Sequence, residues 1–445
     1  HLAKAEKSYR DVLKIAPKHE SATKARFAIG ALLKQRATTL KRRWEKLESD
    51  MGRLAQPLDP KKKYTPEEEA KSKEDAPKRA ELQKNINAAT KEAVKYLKEA
   101  ISHLTDLIKV RNTELEKARK AAQDAKEAKV LQRLDEERRL AEEEWVRARF
   151  ELYQTQITLG EILTVKNAEG KKNIETAAVG LKDINMGIYH KWVIGKYATM
   201  LEGHCYSLLG KYKIALKKFD ENFAEKDHPA INDAIQKTYF RKAMCAKDAK
   251  DFRMVVYTIE GVNYTVTRND VKPKDITQKR TIKHIAADFG ADPETVRKQN
   301  KMTTYEAPVG KNLKIYIGLF SRYEGIEEEE IGVAAKVLAG EGLLEWGLQM
   351  RGKEHQKVWR RKVRKGLSYL GEIASGKGPW SRQAQQLLSE WSEKLNKIGI
   401  EIVTLTGLYS EGFDTFIKAH KMPASRQKRA ALEDSIRKFQ RVIIF

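Results

Sequence analysis

The sequence is poor in cysteine and has no long apolar run. Cys205 and Cys245 are the only cysteines among 445 residues, and no Cys-x-x-Cys or other metal-binding Cys/His spacing accompanies them. Two small buried thiols therefore explain the pair better than a redox or metal site. No apolar run approaches the roughly twenty residues that cross a bilayer, so the sequence predicts no membrane span. The compartment stays undetermined. Since the chain starts at His1 without an initiator Met, we expect a fragment or processed form of a longer protein.

The sequence also lacks the motifs of common catalytic and cofactor sites. It has no GxxxxGK[ST] phosphate loop, no GxGxxG after a strand, no GxSxG turn, and no HxxxH or HExxH pair. His204 adjoins Cys205, but adjacent residues of a helix point in different directions, which argues against a Cys–His pair. The four glutamates 327–330 offer carboxylates for a metal, yet such a run is more typical of a helix start. The sequence therefore predicts a protein that is not an enzyme, with no catalytic residue, cofactor or metal site.

Proline is scarce and charge is abundant. Charged residues make up 33% of the chain and apolar ones 41%, with 11 prolines, which is typical of a helix-rich protein. The formal charge of +25 would attract an acidic partner of any kind. The densest basic clusters, residues 41–43 and 360–365, follow helical spacing beside Trp44 and Trp359. We interpret them as solvated helix faces instead of a nucleic-acid groove, because charge alone is an unspecific signal and no aromatic stacking platform accompanies it.

One pattern recurs forty residues later in the chain. The residues that keep their size or apolar character are Gly203 and Ala243, Cys205 and Cys245, Tyr206 and Ala246, Tyr212 and Phe252, Ala215 and Val255, and Phe219 and Ile259. The small residues Gly203 and Ala215 let two helices approach closely, and Gly210 ends the first helix. Because a repeated helix pair cannot bury its apolar stripe alone, the copies are expected to stack on each other.

These positions resemble the signature of the tetratricopeptide repeat. The residues that carry the resemblance are Gly203, Tyr206, Gly210, Tyr212, Ala215 and Phe219, with Ala243 and Phe252 in the second copy. The chain departs from that family at Asp227, where a proline is usual, and at Lys250, which replaces the turn glycine. Residues 1–48 fit further helices of this kind, beginning with a partial repeat. The resemblance implies a mainly α solenoid whose concave face binds other proteins.

A long helical hairpin is predicted between the prolines and the repeats. Residues 49–77 contain Pro57, Pro60, Pro66 and Pro77 and are predicted to form a linker. Residues 78–159 then have no glycine or proline, and their apolar residues follow helical spacing. We expect two antiparallel helices that meet near residues 116–128, in preference to one continuous helix. The hairpin and the repeats together occupy residues 78–260, and periodicity predicts more helical repeats in residues 325–445.

The pattern changes in residues 261–318. Strand-like alternation at 264–270, two short helical stretches at 281–289 and 293–300, and a strand at 313–316 predict a small β-α-α-β unit. This unit is similar to a LysM module. The resemblance implies binding of N-acetylglucosamine polymers such as peptidoglycan or chitin, with Asp270, Asn300 and Tyr305 as saccharide contacts, and an extracytoplasmic location if the module is functional. The insertion at 271–280 can instead fill the groove, which leaves a role in protein contact.

These observations favour a non-catalytic scaffold or adaptor. It would bind protein subunits, with basic side chains steering acidic surfaces toward it, and would organise a larger assembly such as an enzyme complex, a filament or a tubule. The alternative is a cell-wall glycan binder that uses the LysM-like unit, with the helices as a stalk. Nucleic-acid binding is the less favoured third hypothesis. It would show affinity for any polyanion that falls steeply with salt.

Overall fold

The described part of the chain is almost entirely helical. The structure is a computed structural model that describes residues 2–17, 19–52, 64–125, 127–186, 192–223, 228–266, 281–289, 291–306, 311–352, 356–376 and 378–398, with a few isolated positions. Within these residues lie fifteen α-helices and one antiparallel sheet of two strands. The predicted mainly α fold is confirmed.

The contacts between Cα atoms divide the chain into two compact units, residues 1–335 and 336–445. The elements of the first unit are α1 (Leu2–Ile15), α2 (Glu20–Gly52), α3 (Pro66–Asp124), α4 (Ala128–Leu163), α5 (Ala168–Met186), α6 (Val193–Leu208), α7 (Tyr212–Phe223), α8 (Pro229–Asp248), α9 (Phe252–Glu260), β1 (Val262–Thr265), α10 (Ile282–Phe289), α11 (Pro293–Gln299), β2 (Asn312–Tyr316) and α12 (Leu319–Arg322). Helix α13 (Glu330–Met350) contains the boundary, and α14 (Gln356–Ala374) and α15 (Pro379–Lys397) follow it.

Helices of the first unit pack on their neighbours in sequence. Consecutive helices contact each other all along the series from α2 to α9. Taken two at a time, they form four successive pairs: α2 with α3, α4 with α5, α6 with α7, and α8 with α9. The first helices of neighbouring pairs also touch, because α2 contacts α4, α4 contacts α6, and α6 contacts α8. Leu97, Leu104, Ile174 and Phe219 are fully buried between these helices. One helix of every pair therefore contributes to a common face, which we call the first-helix face (α2, α4, α6 and α8).

Helix α3 begins within the segment that the prolines mark as a linker. Thr65 caps it: the Thr65 hydroxyl accepts from Glu68 N at 3.3 Å, and Thr65 N donates to the Glu68 carboxylate at 2.8 Å. Pro66 occupies the first turn, where a missing N–H costs nothing, and Pro77 lies inside the helix. The helix ends at Asp124, and α4 starts at Ala128 and packs against it. The two long helices thus meet inside the stretch 116–128.

The two strands and two short helices form a small body with its own core. Strand β1 pairs antiparallel with β2, and the buried side chains beneath them are Val266, Ile282, Ile285, Ala286, Val296, Leu313 and Ile315. The body lies directly against α9. A Cβ on Gly318 would lie 2.1 Å from Gly261 N, and the ring of Tyr316 stacks on Tyr257 with centroids 5.4 Å apart. This close approach requires glycine on both sides of the joint.

In the second unit, glycines bring α13 and α14 close together. A Cβ on Gly347 would meet a methyl group of Val363 at 2.8 Å, and one on Gly366 would meet the Gly340 carbonyl at 2.7 Å. Helix α15 packs on α14 and buries Trp391 and Leu395. Such small residues let the two helices pack with their backbones close together.

Candidate functional site

A row of charged side chains crosses the first-helix face, with one residue from each of its helices. Lys41 of α2 donates to Glu161 of α4, with Nζ 2.7 Å from Oε2. The other carboxylate oxygen of Glu161 lies 2.7 Å from Nε2 of His204 on α6. Arg241 of α8 places Nη1 3.1 Å from the same ring nitrogen. These four residues, which we call the charged row, form a continuous chain of polar contacts across four helices.

Burial and neighbouring charge set the protonation of the charged row. Burial and the nearby Arg241 guanidinium lower the pKa of His204, so we take its imidazole as neutral. Burial would raise the pKa of Glu161, but the hydrogen bond from His204 and the Lys41 charge outweigh it and hold the pKa at about 2. Arg241 has no carboxylate within ion-pair distance among the residues that the structure describes. The row therefore carries one more positive charge than negative.

The neighbouring side chains of the same face are also polar and aromatic. Lys34 of α2 donates to Glu151 of α4 at 2.8 Å. Tyr197 of α6 donates its hydroxyl to Asp233 of α8, and Lys237 pairs with that carboxylate at 2.7 Å. The Lys237 ammonium lies 5.6 Å from the Tyr197 ring, and Phe150 packs edge-on against the same ring. Of these groups, the half-buried aromatic side chains Phe150 and Tyr197 are of a type that is enriched in protein interfaces.

The helix contacts explain the residues singled out by the repeat pattern. Phe219, Ala215 and Ala243 are fully buried. A Cβ on Gly203 would meet the Phe219 ring at 2.7 Å, so the small residue makes room for the large one on the facing helix. The remaining members, Tyr206, Tyr212 and Phe252, are half-buried.

The turns after α6 and α8 have the same geometry, forty residues apart. Gly210 has φ +72° and Lys250 has φ +59°, both left-handed. Lys211 N donates to Tyr206 O, and Asp251 N donates to Ala246 O, each at 2.9 Å. These bonds satisfy carbonyls that a helix end would otherwise leave unpaired. The departure from glycine at Lys250 therefore changes the residue and keeps the turn.

The structure describes two of the three residues proposed as saccharide contacts. The side chain of Asn300 donates to Val296 O at 2.7 Å and to Lys314 O at 2.9 Å, and accepts from Lys314 N at 2.8 Å. Asn300 thus fastens α11 to β2, which argues against its use as a sugar ligand. The hydroxyl of Tyr305 donates to Glu294 at 2.6 Å. Asp270 and the insertion at 271–280 lie outside the described residues.

The Tyr305 ring lies between two cationic side chains. The Lys283 ammonium is 4.7 Å from the ring centroid and the Arg297 guanidinium carbon is 5.6 Å from it. Arg297 also pairs with Glu294 at 2.6 Å, and the pKa of Glu294 falls to about 2 through hydrogen bonds from Arg297 and Tyr305. Asn300 and Tyr305 therefore belong to different local networks, one tied to the sheet and one to the charged end of α11.

Cys205 and His204 do not act on each other. Cys205 is fully buried, and burial raises the pKa of its thiol. His204 faces Glu161 and Arg241 instead. Among the described residues no group of three or more His, Cys, Asp or Glu side chains is placed to bind a metal ion. None of the described helices combines the length and the apolar character needed to span a bilayer.

Sequence inspection did not find the charged row. It singled out His204 only for its proximity to Cys205 and Lys41 only as part of a basic cluster. The contacts join residues 120, 43 and 37 positions apart, so they depend on the lengths of the intervening helices. Comparison of the chain with protein-family models, curated proteins and solved structures finds no match in any of the three.

Proposed function

We propose that the protein is a non-catalytic scaffold whose first-helix face binds segments of other protein subunits and holds them in a larger assembly. In this proposal the four helix pairs are repeats of the tetratricopeptide type, and the small sheet-containing body is a LysM-like insertion retained for protein contact. Partners with acidic surfaces are favoured, because the chain carries a formal charge of +25.

One observation carries the proposal: the first helices of successive pairs touch each other and line one face. Solenoids bind partners on such a face, because each added pair extends the same surface. The residues along it include the half-buried Phe150, Tyr197 and Arg241 and the exposed Lys237. The matching turns at Gly210 and Lys250 support the interpretation of α6–α9 as two copies of one unit.

The test compares two surfaces of the full chain. The combined variant Tyr197→Ala, Lys237→Glu alters the first-helix face, and the control Val179→Ser, Met186→Ser alters the outer side of α5, where both residues are exposed. Each protein is cross-linked to its neighbours in its native cells and the captured proteins are identified by mass spectrometry. We expect the wild type and the control to capture the same subunits and the face variant to lose them. Equal capture by all three proteins would refute the first-helix face as the binding surface.

A glycan pull-down tests the LysM-like unit separately. If that unit serves protein contact, the wild type will not be retained on insoluble chitin or peptidoglycan. Retention that Tyr305→Ala abolishes would instead favour a cell-wall binder. The Tyr305 hydroxyl bonds Glu294, and its ring lies near Lys283 and Arg297 while packing against the edge of the core of the small body.

A further inference from the structure

A cleft in the first unit is lined mostly by polar and charged side chains. It has a volume of about 330 Å³ and lies between α8 and the segment that follows α12. Its lining residues are Asn232, Gln236, Arg322, Tyr323, Glu324, Ile326 and Glu329. A cavity of this size is at the lower end of the range for small-ligand sites. It is separate from the charged row and from the LysM-like residues.

Two carboxylates and two amides of the lining have hydrogen-bonding groups without a partner among the described residues. Glu324 and Glu329 have no ion-pair partner among the described residues, and the Gln236 amide makes no hydrogen bond there. The Asn232 carbonyl oxygen is buried and has no hydrogen-bond partner. Buried polar groups in folded proteins are nearly always paired, so an orphaned acceptor in the wall of a cleft needs an explanation. A ligand that brings N–H donors would supply the missing partner.

The charge of the lining indicates the sign of that ligand. Glu324 and Glu329 contribute two negative charges and Arg322 one positive charge, which leaves the lining at −1 in a chain whose formal charge is +25. Arg322 is directed in part toward the backbone, because its Nη1 donates to the Phe223 carbonyl at 3.4 Å. Tyr323 and the largely buried Ile326 also line the cleft, and the Arg322 guanidinium carbon lies 5.8 Å from the centroid of the Tyr323 ring. A monocation with N–H donors and an alkyl stem matches all of these features.

We propose that this cleft binds an alkyl guanidinium or alkyl ammonium group. Glu324 and Glu329 pair with the cation, Asn232 and Gln236 accept its remaining N–H groups, and Tyr323 with Ile326 contacts the alkyl stem. The group can come from a free amine or from an arginine or lysine side chain of a protein partner. The site goes beyond the scaffold function and does not depend on the first-helix face.

The experiment titrates the full chain with n-butylguanidinium and n-butylammonium chloride at constant ionic strength, observed by saturation-transfer NMR of the ligand. We expect millimolar binding of both. Replacing an exposed ion-pair partner costs up to about fivefold in affinity, so Glu324→Gln and Glu329→Gln should each weaken binding by about that factor. The matched control is Glu328→Gln, an exposed carboxylate of the same segment that does not line the cleft.

A second arm identifies the source of the cation. It uses a nine-residue glycine–serine peptide with a central arginine, and the same peptide with citrulline in that place. Tighter binding of the arginine peptide than of n-butylguanidinium supports a protein side chain as the ligand, and binding of the free amines alone supports a small molecule. The proposal fails if no amine binds at 20 mM, if Glu328→Gln weakens binding as much as the lining variants, or if Ca²⁺ binds and the amines do not displace it.

Discussion

Lys250 is the position where one substitution should stabilise the protein without changing any contact. Its φ of +59° is left-handed, a conformation that costs an L-amino acid about 1–2 kcal/mol. The side chain is exposed and takes part in no hydrogen bond or ion pair within the described part of the chain. Glycine adopts this conformation without strain but loses about 0.5–1 kcal/mol more chain entropy on folding. The difference predicts that Lys250→Gly raises the free energy of unfolding by about 0.5–1 kcal/mol.

Gly210 offers the reciprocal change at the equivalent turn. Its φ is +72°, and a Cβ built there would meet no atom within 4 Å. Gly210→Lys should therefore lower stability by about the same amount through backbone strain alone. Lys250→Ala is the matched control for loss of the lysine side chain, because alanine keeps the Cβ and hence the strain. It should change stability by less than about 0.3 kcal/mol.

Denaturant unfolding followed by circular dichroism measures these differences. Thermal unfolding is less sensitive, because an entropy of about 2.1 cal/mol/K per residue over the 335 residues of the first unit turns 1 kcal/mol into only about 1.4 °C. The reasoning is refuted if Lys250→Gly destabilises the protein. It is also refuted if Lys250→Ala gains as much as Lys250→Gly, since the gain would then come from the side chain and not from the backbone.

Three further predictions concern Glu202, His204 and Asn300. Glu202 is fully buried, and both its oxygens lack a hydrogen-bond partner, with Lys218 3.5 Å away. Burial raises the pKa of Glu202. The free energy of unfolding therefore falls as pH rises from about 4.3, the value in the unfolded chain, through the raised pKa of the folded state. Glu202→Gln should stabilise the protein at pH 7 by about 1 kcal/mol, an advantage that shrinks toward pH 4 in a pH series of denaturant midpoints. The pKa of His204 is lowered by burial and Arg241, so the wild type should lose stability as pH falls below about 6.5. A His204→Gln variant that keeps the same slope between pH 7.5 and 5.5 would contradict this. Asn300→Ala should lower the free energy of unfolding by about 2–3 kcal/mol, because it removes three hydrogen bonds. Hydrogen exchange at the Lys314 amide should then be faster. The control Tyr305→Phe should leave that amide protected.

The helices were predictable because apolar periodicity and breakers act locally. The stretch 78–159 lacks glycine and proline, and its helices meet at residues 125–127, inside the predicted range. The start of α3 was missed, because four prolines suggest an extended segment. A capping box at Thr65 and a proline in the first turn nevertheless start a helix there, and one interior proline is tolerated on so long a helix.

The charged row and the cleft beside α8 could not be predicted from the sequence. Both depend on which turn of one helix lies beside which turn of another, and side-chain packing over long sequence distances decides that. Asn300 shows the converse difficulty. The resemblance to a LysM module implied that Asn300 contacts a saccharide, whereas its amide makes hydrogen bonds to the edge of β2. A single sequence does not distinguish an amide used for folding from one used for recognition.

The paired glycines where the sheet-containing body joins α9 have a mechanical consequence. Gly261 and Gly318 leave no room for a side chain between the two backbones, Tyr239 donates to Ile317 O at 3.0 Å, and Ser321 donates to Glu260 O at 2.5 Å. Entry and exit of the inserted segment are thus clamped at one point on the helices. A force applied to the sheet-containing body would therefore be transmitted directly to α8 and α9, because no flexible linker lies between them. A molecule bound to this body would keep a fixed orientation relative to these two helices.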